Sequence, residues 1–260
     1  MTRPQAVHVR RRAADTVTIT IDRPHRANSL DRTTLEELLD RLSEIRDDEQ
    51  TRSIVFCGAG RWFISGADIH YLGTITPEEF ESFAGLVVDL FRAVRSTPAV
   101  TIARIGGAAM GIGLTLALAC DLRVATKDAR FAHPEATLGF IGGTALLPRS
   151  TTTPASAHWM LLSGASIDGP QAMQLGLLTD LAESAADIDN VIDRYLEGLR
   201  HIDRASISAV KRSVYECQTI ADPAQALAAQ QRVAARLFDP QRVRRRFAPV
   251  TRVAERQPSP

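Results

Sequence analysis

The chain has 260 residues, 45% of them apolar, and a formal net charge of +1, which together predict a globular protein with a sizeable core and no electrostatic attraction to nucleic acid. Its apolar runs are too short to cross a bilayer, and its basic N-terminus lacks the apolar segment of a secretory signal. The three cysteines are isolated and lack metal-ligand spacing, so we expect reduced thiols, a cytoplasmic location, and neither a metal site nor a membrane partner.

Strand and helix patterns alternate over the first 125 residues. The β-branched run 17–21 predicts a strand, and leucines at helical spacing predict a helix over 35–45, behind a capping-box pattern at Thr33 and Glu36. An amphipathic helix is predicted at 80–94, closed before Pro98, and further strands are predicted at 53–56, 100–103 and 122–125. This alternation is typical of βαβ units and a mainly parallel sheet.

The pattern becomes mostly helical after about residue 155. Helices are predicted at 158–162, 172–177, 188–199, 205–217 and 223–237. Two arginine-rich runs, at 10–12 and 242–246, are interpreted as solvated surface rather than phosphate sites. We therefore divide the chain into a core domain over 1–195 and a helical C-terminal region over 196–260.

Two strand-like runs end in small residues before a predicted helix. They are RWFISGADI at 61–69 and IGGAAMGIG at 105–113. Turns of this kind leave backbone N–H groups unpaired at a helix N-terminus, and two of them can supply two donors to one negative oxygen, as in an oxyanion hole. Tight packing explains either run alone, but the pair favours the oxyanion hole.

These runs resemble sequence signatures of the crotonase (enoyl-CoA hydratase/isomerase) superfamily. Residues 63–69 resemble F-x-x-G-A-D-I, residues 107–121 resemble G-x-A-x-G-G-G-x-x-L-A-x-x-C-D, and residues 131–139 resemble F-x-x-P-E-x-x-L-G. Weaker similarities at 22–30 and 172–177 keep the family's order and approximate spacing. The resemblance implies an α/β fold, a crotonase-like spiral of ββα units, with a helical C-terminal region that drives trimerisation.

The resemblance implies formation of an enolate from an acyl thioester. The implied oxyanion-hole donors are the backbone N–H groups of Ala67 and Ile112, although the family usually has Gly at the second position. Family hydratases carry two glutamates, of which the first falls on Thr115 and the second is retained as Glu135. Because a threonine hydroxyl cannot act as a carboxylate base near neutral pH, Glu135 is the expected catalytic base. His133 is interpreted as a hydrogen-bonded structural residue.

The implied substrate is an acyl-CoA or acyl-carrier thioester, and no separate cofactor is expected. Family CoA contacts match positions in an early loop and in the two turns, where Arg26 could equally be an exposed arginine without a role. The matched positions are Arg26, Ala27, Ile64, Ser65, Ala67, Asp68, Ile69 and Gly111. The resemblance also implies a role in lipid metabolism and assembly as a homotrimer or a dimer of trimers.

A single glutamate favours double-bond isomerisation or a related proton transfer, because a 1,3-proton shift needs one base whereas the family's hydration uses two. The open alternatives are an enoyl-CoA hydratase (a lyase), a thioester decarboxylase, a hydrolase on the same fold and a non-catalytic subunit. A nucleotide-binding oxidoreductase is disfavoured, because the Gly-x-Gly sequences at 58–60 and 111–113 lack the third glycine of that motif.

Overall fold

The computed structural model describes residues 5–244. The strands are β1 (Val7–Ala13), β2 (Thr16–Ile21), β3 (Ser53–Gly58), β4 (Val100–Ile105), β5 (Ala108–Met110), β6 (Leu122–Thr126), β7 (Arg130–Ala132), β8 (Ile167–Asp168) and β9 (Asp180–Ala182). The helices are α1 (Arg32–Asp47), α2 (Ile69–Leu72), α3 (Pro77–Ser96), α4 (Ile112–Ala119), α5 (Leu147–Ser150), α6 (Pro154–Ser163), α7 (Gly169–Gln174), α8 (Ile188–Leu199), α9 (Arg204–Cys217) and α10 (Pro223–Leu237), with 3-10 turns at Pro24–Arg26 and Glu135–Leu138.

The chain divides into two compact units, residues 1–207 and residues 208–260. The first unit contains both sheets and all of the candidate site residues, whereas the described part of the second is helical. The division into a core domain and a trimerisation region stays a prediction. The end of the arginine-rich run at 242–246 lies outside the described residues.

The larger sheet has the strand order β1-β2-β3-β4-β6-β9. Its first pair is antiparallel and every later pair is parallel. The smaller sheet, β5-β7-β8, has one parallel and one antiparallel pair. The predicted α/β class and mainly parallel main sheet are therefore confirmed.

The central strands of the larger sheet are buried on both faces. In β3, Ile54 and Phe56 belong to a core cluster shared with α1, α3 and α4, whereas Val55 faces a second cluster shared with α8. Parallel strands covered by helices on both sides have no polar face. This burial explains why β3 is a continuous apolar run and not an alternation of apolar and polar residues.

Helix α4 is buried around its whole circumference, from Gly113 to Ala119, as expected for an apolar helix inside a core. A Cβ at Gly113 would overlap the backbone carbonyl of Ile64. Glycine at this position lets the first turn of α4 touch the backbone of the segment at 61–69. The core therefore fixes the position of the N-terminus of α4.

One local prediction is wrong. The capping box at Thr33 and Glu36 does not form, because Asp31 is the N-cap of α1 and its Oδ1 accepts from Thr34 N at 3.0 Å. The arginines at 10–12 lie in β1, where Arg10 and Arg11 are exposed, as predicted for solvated surface. Arg12 is half-buried and forms ion pairs with Asp189 and Asp193 of α8.

Two features are absent from residues 5–244. No helix there is both long and apolar enough to cross a membrane. No cluster of three or more His, Cys, Asp or Glu side chains in that range could hold a metal ion.

Candidate active site

The first of the two turns presents the backbone N–H of Ala67. The backbone on either side of Ala67 is paired, because Gly66 O accepts from Leu30 N at 2.8 Å and Asp68 N donates to Leu30 O at 2.9 Å. The N–H of Ala67 itself has no acceptor within residues 5–244. Ala67 is half-buried, so the turn holds an unpaired donor at the edge of the protein interior.

The second turn presents the backbone N–H of Ile112, the first residue of α4. The first N–H groups of a helix have no partner within the helix, and this one has no other acceptor in the described part of the chain. The preceding Gly111 adopts φ 53° and ψ −120°, which residues with a Cβ rarely adopt. Ile112 itself keeps a negative φ, so its β-branched side chain does not strain the turn.

The two turns lie against each other. Ile64 forms a parallel bridge with Ala109, and Met110 N donates to Ile64 O at 2.9 Å. A Cβ at Gly66 would lie 3.3 Å from Met110 O. The backbone thus brings the two unpaired N–H groups onto neighbouring segments.

Glu135 opens the 3-10 turn Glu135–Leu138, and its carboxylate lies at the start of α4. The residue is only 7% exposed. A Cβ added to Gly111 would lie 2.6 Å from Glu135 Oε1, and so would a Cβ added to Gly142. The expected base therefore occupies space that two glycines leave open, beside the residue that precedes Ile112.

His133 contacts Glu135, and Thr115 contacts His133. His133 Nδ1 lies 3.3 Å from Glu135 Oε2, and His133 Nε2 lies 3.5 Å from Thr115 Oγ1. His133 is 1% exposed and Thr115 is 7% exposed. His133 is thus a buried hydrogen-bonded residue, and it joins the two positions where family hydratases carry their glutamates.

A cavity of about 420 Å³ opens beside the first turn. Its lining includes most of the positions matched to CoA contacts, namely Arg26, Ala27, Ser65, Ala67, Asp68 and Ile69, together with His25, Ser29 and His70. Ile64 and Gly111 are buried and do not line this cavity. The CoA contacts expected of these two residues stay predictions.

Asp68 joins the first turn to the start of α1. It caps α2 with its carboxylate, and Arg23 Nη2 lies 3.0 Å from both Asp68 Oδ2 and Asp31 Oδ2. Burial opposes ionisation, but the hydrogen bond from Tyr71 N–H and the charge of Arg23 outweigh it, so the pKa of Asp68 lies below its ordinary value. Arg23 belongs to the weak family similarity at 22–30, and one of its carboxylate partners, Asp68, is 45 residues further along the chain.

The chain is similar to known proteins of one family. The chain matches the family model for enoyl-CoA hydratase/isomerase over residues 11–258. It is 40% identical to a probable enoyl-CoA hydratase of Bacillus subtilis (strain 168) over 174 residues, which are 65% of this chain and 67% of that protein. It is 32% identical to the 2,3-dehydroadipyl-CoA hydratase of Escherichia coli (strain K12) over 210 residues, 78% of this chain and 79% of that protein.

A third relative, the crotonyl-CoA hydratase of Syntrophomonas wolfei, is 32% identical over 63% of this chain, and the match spans 64% of its own length. The chain thus spans less than two thirds of this relative.

Solved structures share the fold over nearly the whole chain. The enoyl-CoA hydratase from Bacillus anthracis superposes with a TM-score of 0.89 at 25% identity, covering 95% of this chain and 97% of that one. The enoyl-CoA hydratase from Mycobacterium smegmatis gives 0.88 at 26% identity, covering 98% of each chain. The fold is therefore the crotonase fold, and the chain belongs to the enoyl-CoA hydratase/isomerase family.

Proposed function

We propose that this chain forms an enolate from an acyl-CoA, with the thioester oxygen held by the N–H groups of Ala67 and Ile112 and with Glu135 as the single carboxylate base. The favoured reaction is double-bond isomerisation or a related proton transfer. The observation that supports this proposal is that a Cβ added at Gly111 would lie 2.6 Å from Glu135 Oε1, so the carboxylate proposed as the base is next to the residue that precedes Ile112.

The reaction begins with removal of a proton alpha to the thioester carbonyl. The C–H electron pair moves into the enolate and leaves negative charge on the thioester oxygen, while Glu135 receives the proton. Each preorganised N–H donor at such an oxygen typically contributes about 3 kcal/mol. In a β,γ-unsaturated acyl thioester this enolate is conjugated with the double bond. As the carbonyl re-forms, the double bond moves to the α,β position and the β,γ π electrons take the proton from Glu135 at the γ carbon, which completes a 1,3-shift with one base.

Position 115 argues for proton transfer over hydration. Thr115 carries a hydroxyl where family hydratases carry a carboxylate, and this hydroxyl donates to Gly111 O at 3.2 Å. It is neither charged nor basic enough to remove a proton from water. A single-base reaction therefore fits the residues present.

Hydration is the second candidate. The names of the relatives point to it, since those from Bacillus subtilis, Escherichia coli and Syntrophomonas wolfei are all called hydratases. The observation in this chain that supports it is the imidazole of His133 in contact with both Glu135 and Thr115, which offers a second group able to carry a proton.

The cavity beside Ala67 is the proposed site for the CoA portion of the substrate. Arg26 brings a cation to its lining, which suits a phosphate group, and the neighbouring turns offer backbone polar groups. An acyl-carrier thioester presents the same pantetheine and a similar phosphate, so both thioesters belong in the test.

We also propose assembly as a homotrimer. Several apolar side chains near the 3-10 turn are exposed, and Ile141 and Leu162 reach 82% and 79% exposure. Trp159 and Leu162 are three residues apart on α6 and so share one face of it. Exposed apolar patches of this kind mark interaction surfaces. Light scattering at a series of concentrations tests the trimer, and a monomeric mass throughout would contradict it.

The activity test is a screen of saturated and unsaturated acyl-CoA and acyl-carrier thioesters in H₂O and D₂O, followed by chromatography and mass spectrometry. We expect an isomer of unchanged mass in H₂O, deuterium uptake in D₂O, and neither with Glu135→Gln. Gain of one water would identify the hydratase, and loss of CO₂ the decarboxylase. No reaction with any thioester would overturn the proposal.

A further inference from the structure

Thr115, His133 and Glu135 form a line of three buried polar side chains, which we call the Thr–His–Glu line. Both ring nitrogens of His133 have a side-chain partner, at 3.5 Å for Thr115 Oγ1 and at 3.3 and 3.4 Å for the two Glu135 oxygens. The enolate reaction proposed above uses only Glu135. The other two members are buried: His133 contacts the base, and Thr115 contacts His133.

The hydrogen positions follow from the partners. The single hydroxyl hydrogen of Thr115 is donated to Gly111 O at 3.2 Å, which leaves the lone pairs of Oγ1 facing His133 Nε2. We therefore assign the ring hydrogen of His133 to Nε2, which then donates to Oγ1 at 3.5 Å. Nδ1 is then left with a lone pair facing the carboxylate of Glu135, so two acceptors face each other, and one added proton between them would satisfy both.

The loop after Gly139 confines the pair. A Cβ at Gly143, where φ is 69°, would overlap the imidazole of His133, and a Cβ at Gly142 would lie 2.6 Å from Glu135 Oε1. Backbone therefore packs directly against both side chains and limits their movement. In a site this enclosed, an unpaired polar atom is costly, which favours uptake of one proton between Nδ1 and the Glu135 carboxylate.

We infer that His133 is a positioning residue that shares the proton of Glu135, with Thr115 as its anchor. This inference rests on the proposed function and adds a second proton-holding group to it. When Glu135 takes the α proton, the electron pair of the broken C–H bond enters the enolate and the proton lies between Glu135 and Nδ1. The proton leaves again through Glu135 as the new C–H bond forms, so the imidazole ends each cycle unchanged.

The test measures kcat and KM for His133→Gln, Thr115→Val and the double variant, on the thioester that the wild type converts. Glutamine keeps a hydrogen-bonding group but cannot take up the proton. We expect kcat to fall about 10–100-fold, the range typical of groups that orient a reacting residue, with KM nearly unchanged. The double variant should be no slower than His133→Gln, because Thr115 acts through His133. Thr115→Ser should recover most of what Thr115→Val loses.

Two matched controls separate this role from general effects on packing. Thr126→Val removes the hydroxyl of a buried threonine that has no hydrogen-bond partner within residues 5–244, and His158→Gln changes an exposed histidine on α6. Both should keep wild-type kcat.

The outcomes distinguish this inference from the proposed function. If Glu135→Gln is inactive while folded His133→Gln keeps wild-type kcat, or loses only thermal stability, the role of His133 is structural and the inference is wrong. If the losses of His133→Gln and Thr115→Val multiply in the double variant, Thr115 is not the anchor. If His133→Gln does not fold, Thr115→Val decides the matter alone, because wild-type kcat in it overturns the inference. If Glu135→Gln keeps its activity, the proposed function itself fails.

Discussion

Glu135 Oε1 lies so close to Gly111 that a Cβ added at residue 111 would be 2.6 Å from it. The same glycine holds φ at 53° to begin α4. Gly111 therefore meets two requirements at once, a left-handed backbone for the turn and space for the carboxylate. The proposed base and the N–H of Ile112 both depend on this residue.

Gly111→Ala should impair both stability and turnover. Forcing a residue with a Cβ into this conformation costs about 1–3 kcal/mol, and the methyl group would displace the carboxylate. Gly142→Ala separates the two effects, because residue 142 has no left-handed φ and its Cβ would meet the same oxygen. We expect lower kcat in both variants and the larger loss of denaturation free energy in Gly111→Ala.

The control for these glycine variants is Gly85→Ala on α3, where an added Cβ would meet no atom within 4 Å. It should keep full activity and gain about 0.5–1 kcal/mol of stability, as Gly-to-Ala changes do within helices. Wild-type kcat in both Gly111→Ala and Gly142→Ala would show that the carboxylate position is not important for turnover.

Glu135→Gln should lower kcat by about 10²–10⁴-fold, the usual loss when a general base is removed. Glutamine has nearly the same size and retains hydrogen-bonding atoms, so the melting temperature should change little. Glu81→Gln, at an exposed position of α3, is the control for loss of one negative charge. Equal turnover by the wild type and Glu135→Gln would assign the base elsewhere.

Ile112→Pro should remove one oxyanion-hole donor while keeping α4. Proline is well accommodated at the first position of a helix and has no N–H, and residue 112 is that position in α4. Loss of one such donor costs about 10²–10³-fold in kcat. Ile112→Ala keeps the N–H and controls for the side chain, so equal turnover by these two variants would rule out a role for the donor. Ala67→Pro removes the other donor and should abolish activity if the fold is kept.

Thr115→Glu should raise the ratio of hydrated to isomerised product. It restores a carboxylate where family hydratases carry one, and two carboxylates can share the proton transfers to and from water and substrate. Thr115→Gln provides a side chain of the same length without charge, and the ratio is measured by mass spectrometry of the product mixture. If the unmutated chain hydrates the substrate at least as fast as Thr115→Glu does, Thr115 does not limit hydration. A loss of stability is expected, because residue 115 is only 7% exposed.

The ion pair between Asp68 and Arg23 should make stability depend on pH in the acid range. The pKa of Asp68 is lower in the folded chain than its ordinary value, so the stability it contributes is complete above about pH 4. This contribution is lost as the pH falls through the lowered pKa. At neutral pH, Asp68→Asn should lose about 1.5–3 kcal/mol, the typical contribution of hydrogen bonds to a charged group.

Denaturant unfolding at pH 7 and at pH 3 tests this dependence. The difference in unfolding free energy between the wild type and Asp68→Asn should be smaller at the lower pH. Below its ordinary pKa the carboxylate of Asp68 binds a proton more readily in the unfolded chain than in the folded chain, where its pKa is lowered. Asp89→Asn is the control, since Asp89 forms an exposed pair with Arg92 and should show a small effect at both values. If the difference in unfolding free energy between the wild type and Asp68→Asn is the same at both pH values, the charge of Asp68 does not contribute to stability.

The sequence by itself predicted the elements whose causes are local. Helix α3 combines a run of apolar residues at helical spacing with a capping box at Thr76 and Glu79, and the predicted range 80–94 lies within it. Strand β3 contains the predicted apolar range 53–56. The family signatures also identified the residue types at the site, with a glutamate at 135 and no carboxylate at 115.

Local patterns missed three strands. Strand β1 contains three arginines instead of an apolar alternation, and it is held by pairing with β2, while its Arg12 reaches Asp189 and Asp193 of α8. Strands β5 and β7 are three residues each, too short for an alternating pattern to show. The N-cap of α1 was misplaced because two residues near its start have suitable side chains, and only the backbone conformation selects Asp31.

Only the tertiary structure decided which candidate residues meet. His133 and Glu135 are two apart in sequence, but Thr115 and Gly111 come from another element, and packing of the buried α4 brings them together. The sequence contained the base, the hydroxyl and the imidazole as separate observations. Their contacts depend on how closely two backbones approach, and that distance is set by glycines whose effect appears only once the neighbouring segments are in place.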